Sequence, residues 1–497
     1  MSERTLNEIM DQRREKIKAL VADGIDPFPH NFDRSHLTTE AIAQFDEIEG
    51  QAGTRLAGRL MSRRVMGKAS FANIMDGSGR IQLYLSREDL GEQVYSMFKR
   101  LDIGDFIGVN GLMMTTRTGE KTLKVLELTL LSKNIRPLPN VKEKDGQLFD
   151  GFEDKEQRYR KRYLDLIVNP DVKETFVKRA QIYKSIRKFF DDSAYLEVET
   201  PILQPLYGGA SARPFKTHHN TLDMDLFLRI ADELYLKRLI IGGFEKVYEF
   251  SRNFRNEGMD RTHNPEFTAI EWYEAYVDYF FLMDQVEALF NHLAKDLGQS
   301  EFEFNDHTID LTKPFKRATM AELVQQYADI DLATASVSDL LKVCRAHQID
   351  AASEANYGQL LDALFDSLVE PHLIEPTFVT EYPKAISPLA KNKRGSDGTF
   401  VERFELFIAG NEFANAFTEL NDPIDQRERL EAQAALRAGG DEEAQTLDED
   451  FLQAMEYGMP PTGGVGVGLE RLVMLLTGNR SIRDVLLFPQ MRPETKG

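Results

Sequence analysis

The sequence predicts an α+β protein, with a small β-barrel ahead of a larger domain of sheet and helices. Three stretches carry that expectation. Residues 55–132 are strand-rich, with short alternating runs between turns. Two apolar runs, Lys246–Phe254 and Phe267–Tyr276, flank the polar turn Asn256–Pro265 and read as antiparallel strands joined by a loop too long for a tight hairpin. Gly463–Leu476 (GGVGVGLERLVMLL) alternates glycine with Val465, Val467 and Leu469, then enters an apolar helix. Alternating glycines in a strand let another backbone or a flat ligand come close.

The 497 residues, 42% hydrophobic and 29% charged, allow two or three domains and a large core. No apolar run approaches the roughly 20 residues of a membrane helix. The polar start MSERTLNEIM lacks a signal-peptide core, so a cytoplasmic location is expected. A single cysteine, Cys344, excludes an internal disulfide and a Cys-based zinc site. Its apolar setting (LLKVCRA) fits a small buried residue rather than a nucleophile. A net charge of −20 argues against binding nucleic acid by bulk attraction, so any RNA contact needs a local basic surface.

Along the chain, residues 1–22 read as one helix opened by a Thr5–Glu8 capping box. Leu6, Ile9, Ile17 and Leu20 lie near one face. Arg13, Arg14, Lys16 and Lys18 form either a solvated face or an RNA-backbone contact. Asp26–Pro29 ends the helix. In the strand-rich stretch, Ile81, Leu83 and Leu85 alternate with polar neighbours, as do Leu126, Leu128 and Leu130. Gly104, Gly108, Gly111 and Gly119 mark its bends. Five short strands in about 80 residues suggest a closed barrel such as an OB-fold. Arg59, Arg63, Arg64 and Lys68 beside Phe71 fit either an ordinary barrel surface or a stacking platform for single-stranded nucleic acid. Residues 133–160 read as a charged linker. In Phe176–Phe190, the spacing of Ile182, Ile186 and Phe189 predicts a helix with one apolar face, and a strand follows to Pro201. Helical patterns predict an inserted module at about 279–375, and a second, acidic insertion at Asp425–Gln453. Lys391–Gly398 reads as a mobile loop near the pocket. The expected division is a helical extension (1–54), a barrel (55–135), a linker (136–160) and the larger domain (161–497).

Chemistry concentrates in the turn after Phe254. Arg252, Arg255, Arg261 and His263 crowd it, with Glu257 and Glu266 among them. Guanidinium forks at a strand end suit a polyphosphate or a carboxylate, though a charged surface hairpin has the same composition. Glu405 and Glu412 lie across the Ala409–Asn411 turn. On facing strands they could converge as oxygen ligands for magnesium, or form a solvated strand face.

Phe254–Glu257 (FRNE), taken with the glycine strand and Arg471, resembles motifs 2 and 3 of the class II aminoacyl-tRNA synthetases. Phe176–Phe190 followed by Tyr195–Pro201 (YLEVETP) resembles motif 1. RFELFIAGNEFANAFTELNDPIDQR (403–427), SIRDVLLFP (481–489), GGASARPF (208–215) and ELYLKR (233–238) narrow the resemblance to the bacterial-type lysyl-tRNA synthetases, over residues 55–497. The resemblance implies a class II antiparallel sheet flanked by helices and an N-terminal five-stranded OB-fold barrel that binds the anticodon. It also implies a homodimer built on motif 1. The implied reaction makes lysyl-adenylate from ATP and L-lysine with Mg2+, then transfers the lysyl group to the 3′ end of tRNA(Lys).

Residue by residue, the resemblance makes Arg255 and Arg471 catalytic, Arg255 bridging the substrate carboxylate and the α-phosphate. It assigns ATP to Arg255, Glu257, His263, Asn264, Phe267 and Arg471. Phe267 and Arg471 would stack on adenine from opposite sides, and His263 and Arg261 would reach the outer phosphates. Glu405 and Glu412 would hold magnesium. For lysine, Glu419 and Tyr273 match the ε-ammonium site, and Glu233 with the Gly209 backbone the α-ammonium site. Arg255 and Asn415 match the carboxylate site, Phe417 lines the aliphatic stem, and Glu271 lies beside the pocket. A buried ammonium must be paired, whereas an aspartate- or asparagine-specific relative would need a cation where Glu419 stands. In the barrel, Phe71 would stack on an anticodon base, with Arg64, Gln82 and Glu127 as base-reading groups. Asp232 stands where relatives often have proline, and Trp272 and Glu274 where an aliphatic residue and methionine are common. These departures put the tuning of the pocket in question. The alternatives are an aspartate or asparagine ligase, a protein lysylase (whose truncated relatives lack the barrel), and an RNA-binding paralogue without catalysis. Intact Arg255, Glu405, Glu412 and Arg471 speak against the last.

Overall fold

The computed structural model describes residues 3–139, 141–144, 147–150, 152–350, 355–439 and 444–494, and it divides into two compact units, Met1–Glu153 and Asp154–Gly497. No helix among the described residues is long and apolar enough to cross a membrane.

The first unit opens with helix α1 (Glu3–Ala22), so Thr5 lies inside its first turn and not at its cap. The basic cluster on α1 splits. Lys16 Nζ sits 2.6 Å from Asp102, and Arg13, which is buried, hydrogen-bonds the Asn134 side chain. Arg14 and Lys18 pair along the helix with Asp11 and Glu15. Strands β1 (Ala52–Met66), β2 (Ala69–Met75), β3 (Arg80–Ser86), β4 (Phe106–Thr115) and β5 (Lys121–Ser132) close a barrel in the order β1-β2-β3-β5-β4. Strand alternation sends Ile81, Leu83 and Leu85 into its core with Leu123, Val125 and Phe98. Helix α2 (Arg87–Arg100) connects β3 to β4 and is capped by Ser86, whose hydroxyl accepts from Asp89 N. The stretch expected as a linker holds a small hairpin, Val141–Lys144 with Gln147–Asp150, and a short helix, Lys155–Arg160.

The second unit is built on one sheet. Its framework elements are α3 (Pro170–Asp192), β6 (Leu196–Glu197), α4 (Glu233–Ile241), β7 (Lys246–Phe254), β8 (Glu266–Ala275), α5 (Tyr279–Asp296), β9 (Lys316–Thr319), α6 (Tyr357–Leu368), β10 (Thr377–Thr380), β11 (Arg403–Ile408), β12 (Asn411–Thr418), β13 (Thr462–Gly468) and α7 (Leu469–Thr477). The eight strands run β9-β10-β11-β12-β13-β8-β7-β6, antiparallel except for the outermost pairs β9–β10 and β7–β6. The α3 apolar face is Ile182, Ile186 and Phe190, with Phe189 only partly buried. The strand expected to run to Pro201 is just Leu196–Glu197. The stretch 279–375 contains strands as well as helices. Helix α5 packs behind the main sheet, and β9 joins it. Lys391–Gly398, expected to be mobile, is tied down by Lys391 to Asn421, Lys393 to Glu381, and Arg394 to Glu402 and Asp278.

Period-two alternation gives the sheet two different faces. Ile270, Trp272, Val465, Val467, Ala414 and Ala416 point back into a large core with α3, α5 and α7. The opposite residues form two rows across the front. Glu271, Gly466, Asn415 and Glu405 are in register, and beside them lie Tyr273, Gly464, Phe417 and Arg403. The glycines leave a trough between polar walls.

Candidate active site

Every residue expected at the active site except Glu419 and Arg261 lines one cavity of about 690 Å3 over this trough, and Arg261 donates instead to Arg480 O at 3.3 Å. At one end β7 delivers Arg255. Its backbone N–H donates to Pro265 O at 2.8 Å, and its guanidinium lies 5.0 Å from the Phe267 ring centroid. Its Nε is buried without a hydrogen-bond partner. A buried donor with no acceptor is costly unless a ligand supplies one, and a planar fork suits a carboxylate or phosphate.

In the loop, Arg471 Nη2 lies 2.9 Å from His263 Nε2, and His263 Nδ1 lies 2.7 Å from Asp260 Oδ2. Arginine only donates, so Nε2 accepts and Nδ1 carries the proton, which it gives to Asp260. Burial works to raise the Asp260 pKa. Hydrogen bonds from the Thr262 and His263 backbones and the His263 ring prevail and hold it at about 2. Arg471 also donates to Glu412 O at 2.7 Å, and the neighbouring Glu470 pairs with Arg179 of α3 and accepts from Thr268 N, both at 2.8 Å. The motif elements are thus fastened to one another around the anion-binding end.

Glu405 accepts from Tyr382 Oη at 2.8 Å and pairs with Arg403 at 2.5 Å. Burial, with help from Glu412 and against Arg403, raises its pKa to about 7. Glu412 is half-exposed, 3.5 Å from Arg471. Three carboxylates that sequence reasoning missed, Asp362, Asp366 and Glu370 from the inserted module, line the same cavity. Their spacing of four, one helical turn each, was the available signal. Burial, then Asp366 and Glu412, lifts Glu370 to about 7. Among the described residues no group of three or more acidic, His or Cys side chains is arranged to hold a metal unaided. Glu405 and Glu412 fit a hard cation that takes its remaining ligands from phosphate and water, as magnesium does.

The other end is anionic. Gly209 adopts φ +86°, and a Cβ there would press on Glu233 and Ala231. Glu271 and Tyr273 lie side by side, the Tyr273 hydroxyl 3.4 Å from Glu271 Oε2. Burial, then Asp232 and Glu233, pushes Glu271 well above the usual carboxylate range, and burial keeps Tyr273 a neutral phenol. Glu419 is fully buried just behind the cavity wall, where a Cβ on Gly464 would overlap both Glu419 Oε1 and the Tyr273 ring. Sequence reasoning also missed Lys237, fully buried, whose ammonium lies 2.5 Å from Glu233 Oε1 and forms an ion pair with Glu419.

Two family models match the chain: tRNA synthetases class II (D, K and N) over residues 154–492, and the OB-fold nucleic acid binding domain over residues 54–131. The chain belongs to the class II tRNA synthetases. It is 51% identical over 492 residues to a lysine–tRNA ligase of Moorella thermoacetica, covering 98% of each chain. Against lysine–tRNA ligases of Porphyromonas gingivalis and Christiangramia forsetii it is 51% and 50% identical, covering 97% and 99% of this chain and 85% and 87% of theirs.

In this class II synthetase the three departures near the pocket divide by strand face. Trp272 donates to Gln285 at 2.6 Å and packs on Phe190, and Glu274 accepts from Tyr195 and pairs with Lys246. Both lie on the back of β8, away from the cavity. Asp232, fully buried at the start of α4, acts on the pocket through its charge, raising Glu271 and Glu249 after burial has done so.

On the barrel the register brings Arg64, Phe71, Tyr84 and Lys124 into one cross-strand row, with Asn73, Gln82 and Thr122 beside it. Phe71 and Tyr84 rings stand 5.4 Å apart. Glu127 is not in this group; it lies opposite Asn110 on β4 and accepts from its side chain at 3.0 Å. Arg59 and Arg63 also leave the expected platform. Arg59 covers Phe106, and Arg63 donates to the Phe98, Lys99 and Leu101 carbonyls.

Proposed function

We infer that the protein activates L-lysine with ATP to lysyl-adenylate and passes the lysyl group to the 3′ end of tRNA(Lys). The observation that carries this is the polarity of one cavity: an arginine with an unpartnered donor at one end, and buried carboxylates with a phenol at the other. Lysine has the matching charges, a carboxylate for Arg255 and two ammonium groups for Glu233 and Glu419 with Tyr273. An aspartate ligase would need a free cation at the amine end, and Lys237 is not free, being engaged by both glutamates.

Arg255 holds the lysine carboxylate in line with the α-phosphate, with Asn415 beside it. A carboxylate oxygen attacks phosphorus and pyrophosphate leaves. The protein supplies orientation and charge stabilisation, and no nucleophile. His263 and Arg261 reach the outer phosphates, Phe267 and Arg471 offer faces to adenine with Arg471 also near the γ-phosphate, and Glu257 and Asn264 complete the ATP contacts. Glu405 and Glu412 would hold magnesium, which offsets phosphate charge when bound. In the second step a hydroxyl of the terminal ribose attacks the lysyl carbonyl and AMP leaves. Phe71, Arg64, Gln82 and Glu127 meet the anticodon. The reading includes a homodimer formed through the motif 1 region, where Leu196, Ile202, Leu203 and Leu206 are exposed, and a cytoplasmic location.

The test is amino-acid-dependent ATP–pyrophosphate exchange, without RNA, on the wild type and on Glu419→Gln. Exchange with lysine and not aspartate, collapsing in the variant, is the expected outcome. Exchange surviving the variant would move the specificity determinant elsewhere. No exchange with any amino acid would overturn the reading and leave an RNA-binding paralogue.

A further inference from the structure

Lys237 has no part in the steps above, yet it sits where the substrate's charges are read. It projects from α4 one turn after Glu233, and its side chain is fully buried. Its Nζ lies 2.5 Å from Glu233 Oε1, pairs with Glu419 Oε2, and lies 5.2 Å from the Phe417 ring centroid. Each glutamate therefore engages Lys237 with one oxygen and keeps the other. Glu233 Oε2 lies 3.6 Å from where a Gly209 Cβ would stand, on the α-ammonium side. Glu419 Oε1 lies against Gly464 and Tyr273, which line the cavity.

We propose that Lys237 is a positioning residue for lysine recognition: its ammonium ties the Glu233 and Glu419 carboxylates together and fixes the separation at which they meet the substrate's two ammonium groups. This rests on the reading of those glutamates as the α- and ε-ammonium acceptors. Two carboxylates on one buried cation leave one negative charge in excess, and the substrate, whose own carboxylate goes to Arg255, brings two positive charges to that end. Asp232 lies close by and adds negative charge, Arg403 is the other nearby cation, and Glu271, its carboxyl pushed up by burial, and Tyr273 favour their neutral forms. Burial pushes both glutamates up, and Lys237 is the principal group pulling them down. Without it they take up protons and lose their grip on ammonium groups.

The experiment measures pyrophosphate exchange of the full chain with lysine and with ornithine, one methylene shorter, in wild type, Lys237→Met and Lys237→Arg. In Lys237→Met the lysine KM rises on the order of 100-fold, as expected on unpairing a buried charge cluster, while kcat changes far less. That KM falls again as pH is raised and the unpaired glutamates release their protons. The preference for lysine over ornithine shrinks in the same variant. Lys237→Arg keeps the cation and the wild-type pH profile, but its wider head group does not restore the lysine preference. If Lys237→Met does not fold, the ornithine ratio in Lys237→Arg decides alone. A lower melting temperature or active fraction with unchanged KM, pH profile and ornithine ratio overturns the proposal, because a purely structural ion pair predicts that result. Absence of lysine-dependent exchange in the wild type overturns the parent reading instead.

Discussion

At Arg255 the fold leaves a guanidinium edge buried and unanswered, and under the proposed function the substrate would answer it. Arg255→Lys keeps a cation but loses the fork. It should lower kcat/KM for pyrophosphate exchange on the order of 100-fold, the loss usual for one donor to a developing charge, with the melting temperature little changed. Glu405 makes a second test at this scale. Its pKa rises from 4.5 to about 7 in the folded protein. An acid raised on folding favours the native state below its unfolded value, and that contribution disappears as pH climbs through the folded one. From this group, the metal-free protein loses stability between about pH 4.5 and about pH 7. Glu405→Gln should flatten that slope in thermal melts, and Mg2+ with ATP should flatten it in the wild type. An equal slope in Glu405→Gln would show that other groups govern it.

Between elements, the glycine strand β13 decides how close β8 and β12 bring their side chains. A Cβ at Gly464 would overlap Glu419 and Tyr273, whereas one at Gly468 meets nothing within 4 Å. Gly464→Ala should therefore abolish lysine-dependent exchange or raise the lysine KM steeply, and Gly468→Ala, which faces the cavity away from Glu419 and Tyr273, should leave the lysine KM near that of the wild type. Equal effects would mean that the trough is not read at Gly464. This strand was legible in the sequence because GGVGVG carries its own period, with the valines backing into the core and Gly464, Gly466 and Gly468 facing the cavity. The barrel was legible for the same reason, through Ile81, Leu83 and Leu85. What escaped depends on tertiary register. Lys237 reads as an ordinary helix lysine until β12 brings Glu419 to it. Arg59 and Arg63 read as free cations until the barrel closes over them. Asp362, Asp366 and Glu370 read as a solvated helix face because nothing local says that their module opens onto the cavity.

Across the whole molecule, the cavity draws only on the second unit and the aromatic row only on the first. Adenylate formation and tRNA selection should therefore be separable by mutation. With a net charge of −20, the chain cannot rely on general attraction to hold RNA, so affinity must come from local contacts such as the row of Arg64, Phe71, Tyr84 and Lys124. Stacking one base on an aromatic ring contributes about 1–3 kcal/mol. Phe71→Ala should thus lower kcat/KM for tRNA in aminoacylation roughly tenfold or more while leaving RNA-free pyrophosphate exchange at the wild-type rate. Equal losses in both assays would mean that Phe71 supports the fold rather than a base, and an unchanged charging rate would place the base-stacking surface on another part of the barrel.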